Sequence, residues 1–355
     1  MVRLLVVTPK YPPQSGGAAH VFSLIAETLV RNYNSQVYVL TSSCGGCRDG
    51  GGLVNGVPVK RLFPYFEKRW QKLLFSPITF LLVFLYFFRN HNKFDVVETH
   101  TVGEICFFSQ IMAKVFKKKL VKYIIDMFAF NSLLKWPKAD RYINCGSVIT
   151  KKMLSFGIPE EKIYEIKVPI VPVRVATKVR GAKCPIKFVF LGELSRMKGV
   201  EDLLYDVRNL LDKYDSGDME MHIAGSGPLR DAVLDASKTD NRIRYHGSMA
   251  HEKVIDLLKQ TDVLIYPAYS DVMSLTILEA MMTGNMIIAS DVGEIKKNVG
   301  NAGIIIQPGD KTALKNAMEY VLEKDITKIK ANALKQFSKY TAEDVYARNL
   351  EAVSF

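Results

Sequence analysis

Residues 266–293 read YPAYSDVMSLTILEAMMTGNMIIASDVG. The apolar run that ends here, Val263–Tyr266, is a short β-type segment stopped by Pro267, and a second such run follows at Met286–Ala289. Between them Leu275–Met282 has helical spacing, so the segment has the strand–helix–strand order of one right-handed βαβ unit. Strands joined this way pair in parallel and are covered on both faces, which fits their near-continuous apolar character. The loop after the first strand carries Asp271, and Glu279 follows with seven residues between them. A helix starting near Met273 aims its first N–H groups into that loop and sets Glu279 about two turns in. Two carboxylates flanking free amides suit a ligand with hydroxyl groups at both ends and phosphate between them. The loop Ser290–Gly293 closes the same mouth.

The alternation continues outward in both directions. Upstream, Val2–Thr8, Gln36–Thr41, Phe94–Glu98, Leu120–Ile125 and Arg141–Asn144 read as strands, with helices near Ala18–Arg31, Ser76–Arg89 and Gly103–Phe116. After residue 180 the pattern restarts. Strands are expected at Ile186–Leu191, Met219–Ala224, Ile243–His246 and Gly303–Ile306, besides the two already named. Helices are expected near Val200–Tyr214, Pro228–Ala236, Glu252–Gln260 and Thr312–Leu322. Val168–Pro185 has three prolines and no periodicity, which makes it the linker. The expected fold is α/β, with two Rossmann-like domains facing across a cleft at the carboxyl ends of their strands. A length of 355 residues accommodates two such domains.

Composition excludes disorder and fibrous repeats: 48% of residues are hydrophobic and 24% charged. The net charge of +12 is unevenly placed. Residues 1–170 hold 23 Lys and Arg against 11 Asp and Glu, and residues 171–355 hold 25 of each. The first half therefore expects an anionic partner: membrane surface, nucleic acid or acidic substrate. No nucleic-acid motif accompanies the lysines at 114, 117–119 and 122, so nucleic acid is not expected. Five cysteines argue against a disulfide framework, and Cys44-x-x-Cys47 lies in a glycine-rich loop without a second ligand pair. Met1–Thr8 has neither a basic region nor a cleavage signal, so a cytoplasmic protein is expected. Leu73–Phe88 is apolar but interrupted at Ser76–Pro77. The helix beyond, Ile78–Phe88, would be about 16 Å long, too short to span a bilayer. Flanked by Lys68, Arg69, Trp70, Lys72 and Arg89, it reads either as an interfacial helix or as a buried one.

Three more strand-end loops carry candidate ligand contacts. Thr8–Gly17, TPKYPPQSGG, ends in the pair Gly16–Gly17 at a helix start. Leu191–Val200, LGELSRMKGV, sets Arg196 and Lys198 before a helix, and cations beside free amides suit a diphosphate. Ala224–Pro228, AGSGP, is a tight turn; the G-x-G-x-x-G spacing is absent, so no nicotinamide cofactor is expected.

Along the chain stand PP-x-x-GG at 12–17, DVV-x-x-H at 95–100, Lys198–Gly199, G-x-GP at 225–228 and LEAM-x-x-G at 278–284. In that order the sequence resembles the retaining, nucleotide-sugar glycosyltransferases of family 4, the group 1 enzymes of GT-B architecture. The resemblance implies that Glu279 holds the ribose of the donor nucleotide, and that Arg196 and Lys198 hold its diphosphate. Asp271 with the amides of Val272, Met273, Ser274 and Leu275 would hold the donor sugar. Gly16 and Gly17 would contact donor phosphate or acceptor, Gly225 would approach the donor closely, and His246–Gly247 would lie near the base. His100 would reach the transferred sugar from the N-terminal domain. The implied domains are 1–170 with a returning helix in 340–355, a linker at 171–185, and a nucleotide-sugar domain at 186–339. Three departures stand out: Asp271 replaces the usual Glu, Glu193 the usual Arg, and Asp126 a His or Asn.

The implied reaction needs no metal or other cofactor beyond the UDP- or GDP-sugar co-substrate. The nucleoside diphosphate departs, and a hydroxyl of a glycan or lipid-linked acceptor attacks from the same face, in polysaccharide or glycolipid biosynthesis. Asp271, Arg196, Lys198 and His100 are the expected catalytic set, the two cations stabilising the leaving diphosphate. The remaining histidines, 20, 91, 222 and 251, read as surface or core residues. Rival readings are a sugar-nucleotide 2-epimerase, which would convert donor without acceptor, and a donor-binding relative altered in catalysis. The basic half is expected to attach the enzyme peripherally to an anionic membrane.

Overall fold

The computed structural model describes residues 2–14, 17–43, 51–64, 69–101, 103–125, 136–168, 170, 184–215, 217–272, 274–310, 312–340 and 342–355. The chain divides into two compact units: Met1–Val171 with Ala342–Phe355, and Pro172–Thr341. Both are parallel-sheet α/β units.

The first unit runs β1 (Arg3–Thr8), α1 (Gly17–Tyr33), β2 (Gln36–Ser43), β3 (Gly52–Val54), β4 (Val57–Pro64), α2 (Arg69–Asn90), β5 (Val96–His100) and α3 (Glu104–Val115). It continues through β6 (Lys119–Ile124), β7 (Arg141–Asn144), α4 (Ser147–Ser155) and β8 (Ile163–Glu165). Among the described residues its sheet has the order β3-β4-β2-β1-β5-β6-β7-β8. All pairings are parallel except β3 with β4. That hairpin is absent from the sequence reading because Pro58, Lys60 and Arg61 break the apolar pattern. Its turn, Asn55–Gly56, takes positive φ at both residues, the conformation that favours Asn-Gly in two-residue hairpins. The second departure is α2, which continues through Pro77 and is 22 residues long rather than starting at Ser76. Pro77 has no N–H to donate to the Leu73 carbonyl, and just beyond it the Thr79 hydroxyl donates to the Phe75 carbonyl. The last helix, α12 (Ala342–Val353), joins this unit, with Arg141 donating to the carbonyls of Glu351, Ala352 and Ser354.

The second unit runs β9 (Ile186–Leu191), α5 (Val200–Leu211), β10 (Met219–Ala224), α6 (Arg230–Thr239), β11 (Ile243–Tyr245), α7 (His251–Gln260) and β12 (Val263–Tyr266). Then come α8 (Leu275–Met282), β13 (Met286–Ser290), α9 (Ile295–Val299), β14 (Gly303–Ile306), α10 (Ala313–Glu323) and α11 (Thr327–Phe337). Its sheet is wholly parallel in the order β11-β10-β9-β12-β13-β14. Phe188, Phe190, Met221, Ile223, Ile265 and Ile288 are buried in its core. In this order the chain reverses direction across the sheet between β9 and β12. The helices that follow those two strands therefore cover opposite faces of the sheet, which leaves a crevice at the strands' carboxyl ends. The first unit has the same reversal between β1 and β5, at whose carboxyl ends lie Thr8 and His100.

Candidate functional site

In the second unit the loop after β9 ends in a single 3-10 turn, Arg196–Lys198, followed by Gly199 at φ +72°. A Cβ on Gly199 would lie 2.1 Å from the Pro267 carbonyl oxygen, so only glycine lets the β9 loop close on the β12 loop. The Tyr269 amide completes that contact by donating to the Met197 carbonyl at 2.9 Å. The turn aims two neighbouring cations in different directions. Lys198 Nζ donates to Asp271 Oδ2 at 2.6 Å and to the Tyr266 hydroxyl at 3.0 Å. The Tyr266 hydroxyl donates to the same Asp271 oxygen. Arg196 pairs instead with Glu201 Oε1 at 2.8 Å, its side chain 81% exposed.

Burial opposes the charge on Lys198, but Tyr266 and Asp271, through charge and hydrogen bonds, outweigh it and hold the ammonium above its ordinary range. Burial and the neighbouring Asp271 push the Tyr266 phenol up to about 12. At neutral pH Lys198 is thus an ammonium and Tyr266 a phenol, both bonded to Asp271 at the reversal point of the sheet. Asp271 Oδ1 also accepts from the Val272 amide at 2.7 Å, which fixes the carboxylate against the loop.

The helix after this loop spans Leu275–Met282, the bounds expected of it. Ser274 is its N-cap, its side chain accepting from the Ile277 amide at 3.4 Å. Val272 and Ser274 are buried. Glu279 is 5% exposed, and burial raises its carboxyl to about 7. His251 Nδ1 lies 3.6 Å from Glu279 Oε1.

The other loops of this sheet edge are tied together through glycine. Gly225, at φ +144°, donates to the Gly247 carbonyl at 2.8 Å and would place a Cβ 1.8 Å from the Gly192 carbonyl oxygen. Next to this contact, His246 stacks on His222 with ring centroids 5.2 Å apart, and His222 Nδ1 is 3.0 Å from His246 Nε2. His222 Nε2 is 3.2 Å from Glu220 Oε2. A carboxylate only accepts, so Glu220 selects the Nε2–H tautomer of His222, and the exposed His246 donates through Nε2 and keeps Nδ1 as an acceptor. Burial lowers both imidazole pKa values, opposed at His222 by Glu220 and reinforced at His246 by Arg244, which favours these neutral forms.

In the first unit His100 is 5% exposed at the end of β5, and burial lowers its pKa to about 4, so the ring is neutral. The Phe22 ring meets it edge-on at 5.6 Å. Glu98, two residues earlier, is fully buried, and burial raises its carboxyl to about 8. Gly17 opens α1 and is exposed; Gly16, Met273, Asp126, Cys44 and Cys47 lie outside the described residues.

The structure thus joins Lys198 with Asp271, and Gly225 with the His246–Gly247 turn, while Arg196 turns to Glu201. Sequence reading misses three neighbours: Tyr266, His222 and His251. Two of these were read as surface or core. The Tyr266 position, at a strand end directly before the acidic loop, is the one signal that could have marked it.

A family model described as Glycosyl transferases group 1 matches residues 185–324, the segment holding these loops. An uncharacterised glycosyltransferase of Methanocaldococcus jannaschii is 26% identical over 90% of this chain and 89% of its own length. A D-inositol 3-phosphate glycosyltransferase of Corynebacterium efficiens is 26% identical over 40% of this chain, and the match spans only 35% of that protein. Among solved structures, a sucrose-phosphate synthase of Thermosynechococcus elongatus aligns over 100% of both chains with TM-score 0.78 at 15% identity. Anabaena HepE, solved in complex with UDP-glucose, aligns over 99% of this chain and 98% of its own with TM-score 0.74 at 14% identity. These whole-chain alignments show the GT-B fold. The family model on the loop-bearing unit and a glycosyltransferase relative aligned over nearly its whole length support a group 1 glycosyltransferase.

Proposed function

We propose that the enzyme transfers a sugar from a nucleoside-diphosphate sugar to a hydroxyl of a glycan or lipid-linked acceptor, as a retaining, family 4 type transferase. The observation that carries this reading is the Lys198–Asp271–Tyr266 trio at the reversal point of the second sheet, beside the helix that carries Glu279. Asp271 keeps Lys198 charged and stationary, so a fixed ammonium is available where the leaving diphosphate gathers charge. Such a preorganised cation stabilises departure without a bound metal. Glu279, when ionised, accepts hydrogen bonds from the ribose hydroxyls. His246, with its Nδ1 acceptor, faces the base. The acceptor oxygen then bonds to the anomeric carbon on the face from which the diphosphate oxygen departs, its proton passes to that departing oxygen, and configuration is retained. The UDP and UDP-glucose complexes of HepE support a uridine donor by analogy of fold.

The test is a thermal-shift panel of UDP- and GDP-sugars on the purified chain, followed by a transfer assay with the stabilising donor. A donor that raises Tm in the wild type and loses its effect in Glu279→Ala supports the reading. Conversion of donor without acceptor, at the rate seen with it, would favour the epimerase instead.

A further inference from the structure

Helix α2 has two apolar faces, and only one is used by the fold. Thr79, Val83 and Phe87 are buried along one side. At 100° per residue these three positions fall within about 80° of one another. Leu74, Ile78, Leu81, Leu85 and Phe88 follow the 4-3-4-3 spacing of the opposite side. Leu74 and Phe88 are each 62% exposed, Leu81 52% and Ile78 44%. The stripe is about 21 Å long. By length and composition the segment Leu74–Lys93, of mean hydropathy 1.2, could cross a membrane. The helix is committed to the domain, however, through its buried side and the edge next to it: Phe87 meets Phe94 at 5.4 Å, Phe84 meets Phe116 at 6.4 Å, and Phe80, 39% exposed, meets Phe108 at 5.4 Å. The helix therefore lies along the unit.

The helix and its immediate flanks carry charge of one sign. Between Glu67 and Asp95 the sequence has five Lys or Arg and no acidic residue. Arg89 and Lys93 are exposed at the C-terminal end, and the exposed Lys117 follows Phe116, whose ring lies 5.1 Å from His91. On the other flank α2 and β4 form a groove of about 970 Å³. Leu62, Leu82, Leu85 and Tyr86 line its apolar part, with Lys60 and Arg89 among its polar lining. Leu53, 74% exposed on the β3–β4 hairpin, also borders it.

We propose that this face of the first unit docks on the surface of an anionic phospholipid bilayer. The Leu74–Phe88 stripe enters the headgroup–acyl boundary, while Arg89, Lys93 and Lys117 meet lipid phosphates. An apolar stripe with cationic margins and no acid is the composition of an interfacial helix. A second copy of the chain would bring the same cations against their own kind, which disfavours self-association. The inference rests on the transferase reading only in naming the place where a lipid-linked acceptor is met; the surface itself is defined without the donor site.

Flotation of the full chain with vesicles of phosphatidylglycerol and phosphatidylcholine tests it, against phosphatidylcholine alone. Binding to the anionic vesicles at low salt is expected. It should weaken at least about tenfold in Arg89→Gln/Lys93→Gln and be lost in Leu81→Gln/Phe88→Gln. Both variants change exposed side chains and should keep the wild-type Tm and the sugar-nucleotide thermal shift. Absence of vesicle binding, or binding unchanged in both variants, overturns the proposal. So does a dimer, seen by light scattering, that the Leu81→Gln/Phe88→Gln variant abolishes, because it assigns the stripe to a second copy. A missing sugar-nucleotide shift with intact vesicle binding counts against the donor reading alone.

Discussion

Lys198 keeps its charge in a half-buried position because Tyr266 and Asp271 sit on either side of it. Replacing it by Ala leaves Asp271 facing Tyr266 without a counter-charge and removes the fixed cation. Transfer should fall about 100- to 1,000-fold in a steady-state assay, with a smaller change in donor KM. Tyr266→Phe keeps the Lys198–Asp271 pair and should cost far less. Glu279 behaves differently, since burial raises it to about 7. If its ionised form holds the ribose, donor affinity rises with pH from about 6 to 8, and Glu279→Gln flattens that dependence in a titration of donor Kd. Glu98 carries a related stability prediction. With its folded carboxyl at about 8 against an ordinary 4.5, the folded chain retains a proton that the unfolded chain releases between those values. Stability therefore falls as pH rises through that window, by at most about 1.4 kcal/mol per pH unit from this residue. Urea unfolding of Glu98→Gln at pH 5 and 8 should show a smaller loss than in the wild type.

At the scale of elements, the strand ends do the positioning, and glycine permits the close approach of their loops. Gly199 and Gly247 both have positive φ, yet a Cβ at Gly199 meets a carbonyl at 2.1 Å and a Cβ at Gly247 meets nothing within 4 Å. Gly247→Ala should cost about 1–2 kcal/mol from backbone conformation alone. Gly199→Ala should cost clearly more and also weaken donor binding, because the β9 and β12 loops must separate. Differential scanning calorimetry with and without donor checks both. The strands of the second unit are legible in the sequence because each is a short, continuous apolar run between turn signals; Ile186–Leu191, Met219–Ala224 and Val263–Tyr266 have the same bounds in the structure. The β3–β4 hairpin is not, since its polar positions hide the alternation. Helix α2 is legible in its hydrophobicity but not in its length, because Pro77 reads as a stop, and its two opposed faces become distinct only when burial is known.

For the whole molecule, the order of strands explains what chain order cannot. Lys198 and Tyr266 are 68 residues apart, and only the reversal from β9 to β12 sets their loops side by side. The sequence marks both cations of the β9 loop but does not distinguish them; the 3-10 turn does, sending Lys198 to Asp271 and Arg196 to Glu201. The pairing of His222 with His246 likewise depends on β10 lying beside β11. Net charge divides along the chain: the excess of +12 lies in residues 1–170, and the loops of Lys198, Asp271 and Glu279 lie in residues 171–355, where the charges balance. The donor therefore leaves the basicity of the first unit unexplained, which is the reason to look for a second anionic partner there.

The most direct test of the donor site is calorimetric titration of the full chain with UDP-glucose and GDP-mannose, beside Lys198→Ala and Glu279→Ala. Saturable binding of a nucleotide sugar by the wild type is expected, with at least about tenfold weaker binding by both variants and their folded-state circular dichroism unchanged. Equal affinity in wild type and variants, for a donor that the wild type does transfer, would contradict it.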